Sequence, residues 1–204
     1  MDRLQERQQK SSQIEAAPLL TLQWQLLKYS NGKAIGANPD SVFKPGDQVR
    51  LSIKVNQDGY LHIVNLQGGK EGVLIFPDPQ VNQGNNAVKS NQEYIVPQSC
   101  EGVVDPNNCW IGIESSSAVT NLLLIFARDK INIFPAQFDN APRLVNASQI
   151  RQLKTETKQK IEEMTVWRLS NTEGGSQFAR RVQNINPDDN EEIIVTLNIK
   201  HAQK

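Results

Sequence analysis

Charge imbalance, histidine, cysteine and long apolar runs are all scarce in this sequence of 204 residues. Lys plus Arg number 22 and Asp plus Glu number 22, so no global field exists to hold a duplex or an anionic bilayer surface. Nucleic acid is therefore not an expected partner. The longest uninterrupted apolar run, Leu122 to Ala127, falls far short of the ~20 residues that cross a bilayer as a helix. No membrane span is expected.

The two histidines leave a Ser or Cys nucleophile little choice of base. His62 shares an alternating strand face with Tyr60, Val64 and Leu66 and reads as a packed or surface residue, while His201 is expected to fray near the end of the sequence. Cys100 and Cys109 lack a second Cys or His pair at metal-ligand spacing. The acidic run Asp188-Asp-Asn-Glu-Glu192 lacks the glycine and flanking helices of a calcium loop and reads as a solvated turn. No catalytic residues, metal or cofactor are expected.

Uncharged amide is abundant instead, with 19 Asn and 20 Gln. Cys100 and Cys109 enclose an Asp-Pro and an Asn-Asn that can turn the chain back on itself. A disulfide between them suits an oxidising compartment, although Met1 to Lys10 shows no apolar segment of a secretion signal. A periplasmic or cell-surface protein whose leader is absent from this sequence is expected, with a cytoplasmic protein as the alternative.

Residues 1–18 mix charges, Gln and Ser and read as a flexible N-terminal arm, leaving 19–204 as a single domain. From Leu20 the period is two: Leu20, Leu22, Trp24 and Leu26 on one face, Thr21, Gln23 and Gln25 on the other. Val49, Leu51, Ile53 and Val55 repeat the pattern, and Asn56-Gln-Asp-Gly59 predicts a hairpin into Tyr60 to Leu66. Shorter strands are expected at 73–76, 93–96, 110–114, 121–128 and 131–134, with residues 79–92 as a long loop. Residues 171–190 read as an irregular excursion before a last strand carrying Ile193, Val195, Leu197 and Ile199 on one face. That strand is expected to pair with the one starting at Leu20.

One stretch has helical period. Ile150, Leu153, Thr157, Ile161 and Met164 form a narrow stripe that predicts a helix over about 148–164, capped by Asn146 or Ser148. Many short strands linked by Gly, Pro, Asn and Asp predict an antiparallel β-sandwich, Ig-like or related, with this one amphipathic helix packed on it.

Phe43-Lys-Pro-Gly-Asp47 before a strand, Asp58-Gly-Tyr-Leu61 with Asn65, Leu74-Ile-Phe-Pro77, Tyr94-Ile-Val-Pro97 and the apolar strand 122–127 follow one another in order. Together they resemble a bacterial family known as domain of unknown function 4384, over about residues 40–130. Departures are Ser90-Asn91, where the family often has a Gly, and Arg128, where it has a Ser. The resemblance implies a β-sandwich accessory module, often found in envelope proteins or attached to caspase-like peptidases and protein kinases. It brings no catalytic residues.

The expected function is therefore a non-catalytic binding or scaffold module associated with the envelope, with a protein or peptide partner. Its contact surface is expected at a sheet edge or the loops around Tyr60 and 79–92, with Asp58, Tyr60, Asn65 and Tyr94 as binding residues. Two alternatives stand beside it. One is a carbohydrate-active or other hydrolase on a β-sandwich, using carboxylates such as Asp58, Asp78 or Glu114. The other is a binder of an anionic partner through residues 143–181, which hold eight basic and four acidic side chains. Lys154, Lys158 and Lys160 there read more simply as the wet face of the helix.

Overall fold

The computed structural model describes residues 18–67, 71–114, 118–132, 134, 144–156, 159–168, 177–186 and 191–202. The expected arm, apart from Pro18, and most of the 188–192 acidic run lie outside them. The strands are β1 (Thr21–Ser30), β2 (Lys33–Ala37), β3 (Val42–Phe43), β4 (Gln48–Val55), β5 (Gly59–Gln67), β6 (Glu71–Phe76) and β7 (Ala87–Val88). They continue with β8 (Tyr94–Val96), β9 (Ile111–Gly112), β10 (Val119–Ala127) and β11 (Leu144–Val145). After helix α1 (Ala147–Glu156) come β12 (Ile161–Arg168), β13 (Gln177–Asn184) and β14 (Glu192–His201).

Two sheets result. The first runs β12-β13-β1-β4-β8, with β2 also on β1 and β9 on β4; the second runs β11-β6-β5-β10-β14-β3, with β7 on β5. Pairing is antiparallel except at β14 and β3, where Lys200 and His201 lie parallel to Val42 and Phe43. Among the described residues the architecture is thus a sandwich with one α-helix.

Alternation along β1 and β4 sends Leu22, Trp24, Leu26, Leu51 and Ile53 into a core shared with Leu61, Ile63, Leu122, Leu124 and Phe126 of the second sheet. The opposite face of that sheet is buried as well. Val64, Leu66, Leu123, Ile125 and Ile194 pack on Ile150 and Leu153 of α1 and on Phe134. β10 reads as an unbroken apolar run for this reason: both of its faces are covered, so neither tolerates polar side chains.

Asn146 caps α1, its Oδ1 accepting from the N–H groups of Ser148 and Gln149 at 3.0 Å each, while its own N–H donates to Gln149 Oε1 at 2.9 Å. The helix ends at Glu156, short of the expected Met164. Ile161 and Met164 belong to β12: the side chain of Gln159 is bonded to the backbone of Ile194 in the second sheet, and the next residue, Lys160, is bonded through its N–H to Asn184 Oδ1 and through its carbonyl to the Ile185 N–H, which joins the chain to β13 of the first. Met164 is 39% exposed, so it adds nothing to the helix stripe.

Five further expectations are corrected. Asn56 to Asp58 do not close a hairpin; they carry the chain from β4 in the first sheet to β5 in the second. Within 171–190, residues 177–184 form β13, hidden from sequence by Arg180 and Arg181 at its centre. Ile131 starts no strand, and it packs with Phe134 beneath α1. The last strand pairs with β10 and β3, not β1, because its successive residues Ile193 and Ile194 point to opposite faces and are needed by the two cores on either side of the second sheet. His201, its final residue, is 6% exposed and held by Thr120 and the Glu114 carbonyl rather than frayed.

Candidate functional site

The crossing from β4 to β5 forces Gly59 against β10. A Cβ there would stand 2.4 Å from the Ala127 carbonyl oxygen and 2.7 Å from the Phe126 ring, so only glycine permits the approach. Asp58, the residue before it, is held outward. Its carboxylate accepts from Lys89 Nζ at 2.7 Å and from the Ser90 N–H at 2.9 Å. Ser90 Oγ donates to the Asn56 carbonyl at 2.8 Å, and the Lys89 N–H donates to Tyr94 Oη at 2.7 Å. The Lys89 bond, then the Ser90 bond, hold the Asp58 carboxyl below the usual carboxylate range, and Asp58 in turn raises Lys89.

Two of the expected binding residues, Asp58 and Tyr94, thus meet through Lys89 and Ser90, which sequence did not single out. Tyr60 is half-buried and opposite Ala87 and Ala127 at the start of β5. Asn65 is not part of this corner. It pairs with Leu122 and Val73 six residues further along β5 than Gly59, about 20 Å away at strand rise.

Beside the corner, the outer face of the first sheet forms an open groove of about 610 Å³, lined by Thr21, Gln23, Lys54, Val55, Asn56, Asn91, Arg181 and Gln183. Gln23 stands directly between Lys54 and Arg181 in the ladder. Asn56 Oδ1 accepts from the Thr21 N–H at 2.7 Å and its Nδ2 donates to the Leu19 carbonyl at 2.8 Å, fixing that end. A second cleft, of about 270 Å³, opens between the sheets. There Arg180 is neutralised by Asp40 at 2.6 Å and Glu163 at 3.8 Å.

The three carboxylates weighed for hydrolysis are dispersed. Asp58 adjoins the end of β10 at Ala127, whereas the Glu114 carbonyl meets His201 beside the start of β10 at Thr120. Asp78 is buried, accepting from Ser99 Oγ and from the Gln80 N–H. His62 is packed in the second core, with Asn86 Nδ2 at 3.0 Å from its Nε2 and the Phe134 ring at 4.3 Å. No cluster of three metal-ligating side chains occurs among the described residues.

Cys100 and Cys109 are joined by a disulfide, with their Cα atoms 5.4 Å apart. The buried Arg50 guanidinium donates to the carbonyls of Cys109 and Pro106, and the Trp110 ring lies 4.6 Å from it. The crosslinked loop is thereby fastened to β4. Among the described residues no helix is long and apolar enough to cross a membrane.

Residues 42–130 match the model of a family described as Domain of unknown function (DUF4384), in agreement with the motifs from Phe43 to Ala127. The matched segment includes the corner and the disulfide but neither β1 nor β14, each of which is flanked by strands on both sides within its sheet. No curated protein and no solved structure matches the chain.

Proposed function

We propose that this chain is a non-catalytic binding or scaffold module acting outside the cytoplasm, in association with the cell envelope. The observation that carries the reading is the ordered, exposed corner in which Asp58, Lys89, Ser90 and Tyr94 interlock beside an open polar groove. Such a surface offers fixed donors and acceptors without a facing pair of free carboxylates, which suits recognition better than hydrolysis. The compartment is supported by the Cys100–Cys109 disulfide, a bond that persists in oxidising surroundings. A protein or peptide partner is the occupant proposed.

The test is affinity capture from a native envelope fraction, comparing the wild-type chain with an Asp58→Ala, Tyr94→Ala double variant. A reproducible partner retained by the wild type and lost by the variant is expected. Capture of no reproducible partner, together with turnover of a substrate by the purified chain, would overturn the reading.

A further inference from the structure

The groove on the first sheet carries more information than its outline. Lys54 and Arg181 lie opposite Gln23 on either side, so all three project from one face, with the two cationic residues separated by two strand spacings, about 10 Å. Neither enters an ion pair among the described residues, in contrast to Arg180 on the same strand, which is paired twice. Gln183 stands opposite Thr21 in the next row of the same face. Its neighbour on β12, Glu162, forms no ion pair with Arg181.

Three ligand classes are separated by what lines the groove. Nucleic-acid strands need stacking platforms and a longer run of cations, and none of the lining residues is aromatic. The same lack removes the flat ring on which the apolar face of a sugar packs. Gln23 and Gln183, by contrast, each present one carbonyl and one amide group, the complement of a peptide unit. An extended peptide also places alternate side chains about 7 Å apart on one side, within reach of both long cationic side chains.

We infer that this groove binds an extended acidic peptide segment, with carboxylates on alternate residues taken by Lys54 and Arg181 and peptide groups taken by Gln23 and Gln183. The inference rests on the binding-module reading and names the chemistry of the partner. The groove lies next to the Asp58 corner through Asn56 and Asn91, so a bound segment would continue onto it.

The probe is a synthetic octapeptide of alternating Ser and Glu, followed by fluorescence anisotropy and by amide shifts in the protein. A Ser–Gln octapeptide and a trigalacturonate serve as comparators. Binding of the Ser–Glu peptide alone is expected, with shifts at residues 21–25, 54–56 and 181–183. Lys54→Gln and Arg181→Gln should each weaken it about threefold, and the pair about tenfold, with affinity falling as salt is raised. Both sites are on the surface, and unchanged melting of the variants certifies their fold. Equal binding of the Ser–Gln peptide, indifference to the double substitution, preference for trigalacturonate, or no binding would each overturn the inference. If the envelope partner is still captured by the Lys54→Gln, Arg181→Gln variant, the groove assignment falls while the binding-module reading stands.

Discussion

Gln159 uses both ends of its side-chain amide on Ile194, donating to its carbonyl at 2.6 Å and accepting from its N–H at 2.7 Å. The side chain behaves as a one-residue strand against β14. Gln159→Ala removes both bonds and leaves the Ile194 groups to find water, so a loss of about 1–3 kcal/mol is expected. Gln159→Glu keeps the acceptor and loses the donor, and should fall between. Urea denaturation checks the order; three indistinguishable midpoints would mean that the bonds add nothing.

Gly59 and Gly112 form a controlled pair. Alanine at 59 meets the Ala127 carbonyl oxygen at 2.4 Å, whereas at 112 nothing lies within 4 Å. Gly59→Ala should cost about 1–3 kcal/mol or more, because backbone rather than a flexible side chain must give way. Gly112→Ala should stay within about 0.5 kcal/mol. Equal thermal shifts would refute the close approach of the β4–β5 corner to β10.

The Asp58–Lys89 pair predicts two flanks in the pH profile. A carboxyl held below its ordinary range contributes stability above that range and loses it as pH falls through the depressed value, below about pH 4. An amine raised above its ordinary range contributes below that range and loses it as pH climbs through the raised value, above about pH 10. Asp58→Asn should therefore flatten both flanks of a denaturation series. Asp47 keeps an acid slope in both proteins. Burial opposes ionisation there, but bonds from Lys28 and the Lys44 N–H outweigh it. Retention of both wild-type slopes by the variant would show that the pair is not formed in solution.

Leu153 is 5% exposed on the packed face of α1. Leu153→Asp should cost about 3 kcal/mol or more by burying an unpaired charge, while Arg151→Ala on the exposed side should stay within about 0.5 kcal/mol. Differential scanning calorimetry on the two variants decides the matter. Similar melts would mean that the helix is not packed on the second sheet.

What sequence revealed divides along physical lines. Alternation in β1, β4 and β14 was legible because each presents one row of aliphatic side chains to the main core. The neighbours of those strands were not, since period two assigns a face and says nothing of the adjacent strand. Asn56-Gln-Asp-Gly59 carries hairpin chemistry, yet turn residues do not record whether the chain re-enters the same sheet. β13 was concealed because Arg180 and Arg181 occupy positions that open onto the inter-sheet cleft and the groove. The stripe through Ile161 and Met164 kept helical spacing beyond the true helix, and the amide of Gln159 decided the boundary. Of the corner, Asp58 and Tyr94 were named from motifs, whereas Lys89 and Ser90 sit in a loop whose partners are 31 and 32 residues away.

The placement of β14 between β10 and β3 also bears on how the molecule is made. Leu122 to Ala127 leave the ribosome about 65 to 75 residues ahead of their partners Glu192 to Leu197, and at ordinary translation speeds that is roughly 3–15 s. For that interval the nascent chain displays its most apolar strand with one ladder unfilled, a template for any other extended chain nearby. A holdase, or export in an unfolded form, would shield it until the closing strand arrives.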